Sequence, residues 1–310
     1  MTKAKTKPQG QSRFMMRLRK DWQLHLLLVL PLLILLLYNY IPMGGVLMAF
    51  QNYKPAKGLF GSKWVGLMNY RMLFNMPGFL FAVRNSFTIA VAKIVLNIIV
   101  PVTFSLMLNE MRSRRTKKLI QTIVYMPHFI SWVLLSSIII RLLSANGIIN
   151  KLLESLGMQR HMFLADKQAF QPIIVITDVW KEFGYGTIIY LATMTGIDQR
   201  LYEAAAIDGA GYWKRMLHVT LPALYPTIVL MTTLALGRVL DAGFDQIFNL
   251  YSPAVYETAD IIDTFVYRLA FKNMQYSMST AAGLMKNIIS CLLIITSYRM
   301  AYKLTGYYIF

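Results

Sequence analysis

Apolar residues in this chain fall into six long runs, separated by stretches where Gly, Pro, amide and charged residues collect. The first run, Leu24 to Ile41, holds no formal charge, and its length is close to the ~20 residues that cross ~30 Å of hydrocarbon at ~1.5 Å per residue. Five more follow: Asn85 to Leu108, Leu119 to Leu143, Gln171 to Thr195, Leu217 to Leu240 and Ala281 to Tyr302. The pattern predicts an all-α integral membrane protein of six transmembrane helices. An even number of crossings returns both termini to one side.

Composition agrees with that reading. Of 310 residues, 56% are hydrophobic and only 15% charged, which is too apolar and too poor in charge for an ordinary soluble enzyme of this size. A cleaved signal peptide would also follow a basic start, but the first run is longer than a typical signal core and ends in Tyr38-Asn39-Tyr40-Ile41-Pro42 without a small-residue cleavage pattern. Two regions result: a basic tail over residues 1–20 and a six-helix domain over residues 21–310, whose longest polar interruption on the tail's side includes residues 196–217.

Charge decides the orientation. The segments sharing the tail's side carry seventeen Lys and Arg, against nine on the opposite side, although the opposite segments are longer. Basic residues concentrate on the cytoplasmic face of membrane proteins, so the expected location is the cell membrane, multi-pass, with both termini cytoplasmic. The net charge of +18 suggests nucleic acid only at first sight. Much of it lies in the tail and in Arg112-Ser113-Arg114-Arg115-Thr116-Lys117-Lys118, beside spans, where topology and anionic lipid headgroups of the bilayer account for it. No folded basic module is present, so nucleic acid is not expected as a partner.

Catalytic and metal chemistry find little to work with. Cys291 is the single cysteine and lies inside the sixth run, so an intrachain disulfide and a cysteine metal site are both excluded. His25, His128, His161 and His218 are too scattered to form a ligand set. No catalytic residue and no metal ligand is assigned.

The interruption between the fourth and fifth runs is more informative. Gly196 can end one helix, Asp198 can cap the next, and Gln199 to Ile207 contains good helix formers without Gly or Pro. Gly209 and Gly211 permit a sharp turn before Tyr212-Trp213-Lys214-Arg215. Ala204, Ala205 and Ala206 give the helix a low-relief surface, and Glu203, Asp208, Lys214 and Arg215 a polar margin that would fix register with a partner. From composition alone, an ordinary interhelical loop with helix-favouring alanines remains equally open.

Glu203-Ala204-Ala205, Gly209 four residues after Ala205, and then Leu221-Pro222 and Pro226 resemble the cytoplasmic EAA loop of type I ATP-binding-cassette importer permeases. The extended Asp208-Gly209-Ala210 is of the kind seen in sugar permeases. Gly147-Ile148-Ile149-Asn150, and Trp180 and Gly184 with Tyr190-Leu191-Ala192, are more weakly similar to other parts of that family, extending the resemblance over about residues 20–305. It implies the membrane subunit of a carbohydrate importer, similar to maltose-type permeases and close to the branch that takes up oligosaccharides derived from polysaccharides. Glu203, Ala204, Ala205, Asp208, Gly209, Lys214 and Arg215 would then form a coupling helix and turn seated in a separate cytoplasmic ATPase dimer. The other implied partners are a second homologous permease subunit, making a heterodimer, and an extracytoplasmic solute-binding protein. No Walker A pattern occurs here, so the chain is expected to carry no cofactor and to be no enzyme, with ATP and Mg bound by the partner ATPase subunits.

Polar residues inside the runs are the candidates for the substrate path, because unpaired charge in hydrocarbon is costly and turns toward a bundle interior or water. Asp178, Lys181 and Glu182, at spacings of three and four, share a helical face and are expected to neutralise one another, as a structural cluster or as a sugar contact. Trp180 and Tyr185 beside them suit stacking on a sugar ring, or an interfacial aromatic belt. Asn97, Thr232 and Asn287 complete the candidates. Pro226 is expected to kink the fifth span, and Arg238 with Asp241 suggests a helix-end ion pair. Ile148 to Leu156 reads as a short amphipathic helix at the outer interface, or as a docking surface for the solute-binding protein. Two other functions stay in view: a type I permease for a non-sugar solute, and a membrane-embedded glycosyl transferase built on the Asp178 to Glu182 cluster.

Overall fold

The computed structural model describes residues 22–237 and 239–305; the basic tail 1–20 and Arg238 of the suggested Arg238–Asp241 pair lie outside the described residues. Helix α1 runs over Trp22–Phe50, α2 over Pro77–Asn109, α3 over Arg114–Tyr125 and α4 over Trp132–Leu143. Then come the short α5, Ile148–Ser155, the long α6, Phe170–Thr195, and α7, Gln199–Ile207. Helix α8 covers Tyr212–Leu236, α9 Phe244–Leu250 and α10 Tyr276–Thr305. A two-residue antiparallel ribbon, β1 Gln51–Asn52 with β2 Lys63–Trp64, is the small exception to the all-α pattern.

Among the described residues, α1, α2, α8, α10 and the stretch Trp132–Ser155 are long and apolar enough to cross a membrane. Helix α6 matches them in length at 26 residues. Asp178, Lys181 and Glu182 place three charges close together within it, and the protein buries or pairs each of them.

The expected third span, Leu119 to Leu143, is not one helix. Helix α3 begins earlier, at Arg114, where the Ser113 side chain accepts from the Thr116 N–H. The chain then passes through a 3₁₀ turn, Met126–Phe129, and an extended Ile130 before α4 begins. Pro127 has no N–H to continue the ladder, and Ser131 starts the new helix by accepting from Leu134 N. Proline also shapes the ends of α1 and α8. A π turn at Leu36–Tyr40 precedes Pro42, and another at Met216–Thr220 precedes Pro222, as the ladder lengthens to reach Ile41 N and Leu221 N. Pro226 lies within the regular part of α8.

Three buried clusters hold the bundle. Val102, Leu106, Tyr190, Met194 and Leu224 tie α2, α6 and α8 together near the end that carries α7. Toward the opposite end, Ile89, Leu135, Phe170, Ile174, Ile247 and Ile261 join α2, α4 and α6 to the segment between α8 and α10. Ala49, Leu73, Phe79, Phe265 and Ala281 anchor the last turn of α1 against α2 and α10. The rest of α1 stands outside this packing; its residues Trp22 to Met43 are all exposed in the single chain. Helices α3 and α6 approach at Gly184, where any Cβ would meet the Val124 carbonyl oxygen at 2.1 Å.

Candidate functional site

Two places have the geometry to act: the α7 loop at one end, and a cavity midway along α2, α6 and α8. In the loop, Gly196 ends α6, and Asp198 Oδ1 accepts from Arg200 N at 3.0 Å to open α7. The helix closes with Gly209 N donating to Ala206 O at 3.1 Å and Ala210 N to Ala205 O at 2.9 Å. That pair of bonds is the Schellman closure, which needs its left-handed residue at Gly209, where φ is +73°. A Cβ there would meet nothing within 4 Å, so the demand for glycine comes from the backbone angle and not from crowding.

The loop is tied to the bundle but not sunk into it. Tyr202 and Thr220 hydroxyls bond at 2.9 Å, fixing α7 against the start of α8. No residue of α7 is buried. Glu203, Ala204, Asp208, Gly209 and Lys214 are all exposed, and Ala205 and Arg215 are half-buried. Ile207 is 87% exposed, Trp213 67% and Leu201 53%. These three apolar side chains were not singled out in the sequence. Their sign was available, since Leu201 and Ile207 lie in a helix too short to cross a membrane and must cover something, and Trp213 sits beside Lys214 and Arg215 at the polar start of α8. Behind the loop a polar cavity of about 380 Å³ is lined by Glu110, Gln199, Tyr202, Tyr212 and Arg215 among others.

The central cavity encloses about 290 Å³ between α2, α6, α8 and the turn that follows α8. Lys93 stands at its edge, buried, with all three ammonium hydrogens spent. It meets Asp178 Oδ1 at 2.9 Å, Gln246 Oε1 at 2.6 Å and Ala242 O at 2.9 Å. Gln246 in turn donates to Ile174 O at 2.8 Å and Thr177 Oγ1 at 2.9 Å. This joins α2, α6 and α9 by buried polar contacts. It also satisfies a carbonyl freed where the backbone leaves helical form, which is how irregular chain is tolerated at membrane depth. Gly243, with φ at +94°, makes room, since a Cβ would sit 2.7 Å from Lys93 Nζ. Asn97 Nδ2 donates to Asp178 Oδ2 at 2.9 Å, while Asn97 Oδ1 is buried without a partner.

The expected mutual neutralisation of Asp178, Lys181 and Glu182 is therefore corrected. Asp178 turns toward α2, whereas Lys181 and Glu182 pair at 3.0 Å on the other flank of α6. Lys181 Nζ also donates to His128 O at 2.7 Å, capping the broken third span, and His128 Nδ1 lies 2.7 Å from Glu182 Oε2. Tyr185 stacks on the His128 ring at 4.0 Å, and Lys181 lies over Trp132 at 5.5 Å. Two helical positions one turn apart can look to different neighbours, and spacing alone does not say which.

Of the path candidates, Asn97 and Asp178 line the central cavity. Lys181, Glu182 and Tyr185 form the separate cluster at the break, and Trp180 and Asn287 are exposed on the outer surface of the chain. Thr232 spends its hydroxyl hydrogen on Ile228 O at 2.7 Å. Lys93 and Gln246 were missed. Lys93 carried a signal, a lone cation within an apolar run, whereas the partnership with Gln246 spans 153 residues and leaves no local mark.

Residues 101–304 match the family described as binding-protein-dependent transport system inner membrane component. The chain is 37% identical over 298 residues to the polygalacturonan/rhamnogalacturonan transport system permease protein YteP of Bacillus subtilis (strain 168), covering 96% of this chain and 93% of that one. It is 40% identical over 291 residues to Protein LplB of the same organism, covering 94% and 92%. Its structure superposes with a TM-score of 0.87, at 34% identity and over 94% of this chain and 98% of the other, on a chain of a bacterial alginate ABC transporter. That transporter was crystallised in complex with an alginate pentasaccharide-bound periplasmic protein.

Proposed function

The chain belongs to the family of binding-protein-dependent transport system inner membrane components, and on that footing we propose that it is the membrane-spanning subunit of an ATP-driven carbohydrate importer, with an oligosaccharide as cargo. The observation that carries the proposal is the α7 loop: a capped, rigid helix with no buried residue, presenting Leu201, Ile207 and Trp213 to an absent surface. Large exposed apolar groups rimmed by polar ones mark a protein interface. The surface that completes this one is a separate ATPase dimer, which binds ATP and Mg and hydrolyses the nucleotide, so that this chain itself performs no catalysis.

The remaining assignments rest on the same footing. The excess of basic residues on the loop's side puts that side and both termini in the cytoplasm. A solute-binding protein delivers the sugar at the opposite end, as the alginate relative's complex with a periplasmic protein suggests. The exposed apolar length of α1 meets lipid and a second, homologous permease subunit, with a heterodimer as the assembly.

Transport by alternating access is part of the proposal. Movement of the ATPase subunits displaces α7, which acts as one body because its Schellman closure fixes its turn and the Tyr202–Thr220 bond ties it to α8. The test is co-purification of the ATPase with the permease from membranes. Ile207→Asp and Trp213→Asp should release the ATPase while the permease stays in the membrane at normal level. Retention of the ATPase by the double variant would refute the assignment.

A further inference from the structure

Between α1 and α2, at the end opposite α7, the chain carries a basic hairpin. From Pro42 to Phe81 there is no Asp or Glu, so Lys54, Lys57, Lys63 and Arg71 are uncompensated in the sequence. Lys54, Lys57 and Lys63 are exposed, and none of them forms an ion pair among the described residues. Other cations at this end are paired: Arg160 with Glu154, Lys167 with Glu257 and Arg268 with Asp260. Basic residues on the outer face of a membrane protein run against the usual bias, so three of them together without partners need a reason.

The hairpin is held rigid and turned outward. Gln51 pairs with Trp64, and Asn52 with Lys63, in the β1–β2 ribbon. The Ser62 hydroxyl donates to Gly58 O at 2.7 Å and accepts from Lys54 N at 3.1 Å, with Gly58 at a φ of +65°. Tyr53 N donates to Ser277 Oγ at 2.8 Å, and Trp64 stacks on Phe50 at 5.6 Å, fixing the base. Near the tip Phe60 is 100% exposed. The exposed part of α1, Trp22 to Met43, is long enough at ~1.5 Å per residue to cover the ~30 Å of hydrocarbon. The 7 residues that follow, Gly44–Phe50, form a 3₁₀ stretch. At ~2 Å per residue they rise ~14 Å further, past a headgroup layer of ~5–7 Å. The hairpin therefore stands in water, clear of the lipid.

Resting on the reading of this chain as an importer subunit served by a solute-binding protein, we propose that the hairpin is a docking site for an acidic surface of that protein. Lys54, Lys57 and Lys63 face its carboxylates, and Phe60 enters an apolar pocket among them. Complementary charge at a rim speeds the encounter, and a buried aromatic anchor slows departure. A loop already fixed by its own hydrogen bonds loses little freedom on binding.

The test measures association and dissociation of the importer's own sugar-loaded solute-binding protein on the complete importer in nanodiscs, at low and high salt. The triple variant Lys54→Gln, Lys57→Gln, Lys63→Gln should associate about tenfold more slowly at low salt and lose most of the salt dependence. The matching triple Lys→Arg variant, which keeps the charge, should bind as the wild type does. Phe60→Ser should leave association nearly unchanged and speed dissociation about tenfold. A polarity-sensitive dye on Phe60→Cys, in a Cys291→Ala background, should report water until the binding protein is added. Wild-type rates in both the Lys→Gln and the Phe60→Ser variants would overturn the inference alone. So would a dye already shielded without the binding protein, by anionic phosphatidylglycerol or by a second permease subunit. No binding of the sugar-loaded protein by the wild-type importer would overturn the importer reading and the inference with it.

Discussion

The two ends of this bundle are built on opposite plans. Opposite α7, the segment from Phe244 to Tyr267 is closed by buried polar groups with partners. Asn85 Nδ2 donates to Glu257 O at 2.9 Å and Asp260 O at 3.1 Å, Ser86 Oγ accepts from Ile262 N at 2.8 Å, and Asp260 takes both the Thr264 hydroxyl and the Arg268 guanidinium. Burial pushes the nearby Tyr251 phenol up to about 12. At the other end, α7 has no buried residue and leaves its largest apolar side chains uncovered. A region that satisfies most of its buried polar groups, here all those named except the Tyr251 hydroxyl and one Arg268 nitrogen, holds its shape alone, whereas a rigid helix with an uncovered apolar surface is completed by another molecule. That segment thus governs whether the chain folds, and the loop governs whether it works.

That contrast can be broken most forcefully at Lys93. Lys93→Met strands the Asp178 carboxylate among buried groups, a loss of about 3–5 kcal/mol, so thermal unfolding in detergent should shift sharply downward and membrane yield should fall. Adding Asp178→Leu should recover most of the loss, because it removes the uncompensated charge. Recovery would separate the fold from any particular ion pair, whereas failure would mean that Lys93 matters for its bonds to Gln246 and Ala242 O.

Changes in the loop should be smaller and differently distributed. Gly209→Val forces a branched side chain into the left-handed region, costing about 1–2 kcal/mol, with hydrogen exchange speeding up in α7 and global unfolding unmoved. Asp198→Ala removes the cap that accepts from Arg200 N, at about 1 kcal/mol, and should show as fraying of the first turn of α7 alone. The smallest effect belongs to an exposed far-end pair. The Lys167 ammonium bonds Glu257 at 2.6 Å and holds that carboxyl below its ordinary range. What this pair adds is present above the unfolded glutamate value and is lost as pH falls through the lower folded one. Since both groups are exposed, Lys167→Ala should leave unfolding curves between pH 3 and 7 nearly unchanged.

How far the sequence revealed this protein depended on the range of the interaction. The capped helix Gln199–Ile207 and its turn at Gly209 were legible because capping and left-handed turns are written within a few residues. Five of the six runs correspond to long helices, with ends shifted by proline, as where Pro77 starts α2 eight residues before Asn85. The third run hid its break, because Pro127 sits in apolar sequence and the Lys181 bond that caps the break comes from 53 residues away. The central cavity was half legible. Asn97 and Asp178 stood out as polar residues in apolar runs, but the direction of Asp178 is decided by Lys93, 85 residues earlier in the chain, and by nothing beside it.

The most direct measurement sets ATP hydrolysis beside sugar uptake for the complete importer in proteoliposomes, with Gly209 varied. Gly209→Val should keep hydrolysing ATP while uptake per ATP falls to a small fraction of the wild-type value, and Gly209→Asn, a residue that tolerates the left-handed angle, should keep most of it. A Gly209→Val importer with normal uptake for each ATP would contradict the account, since the closure of α7 would then play no part in passing motion to the membrane helices.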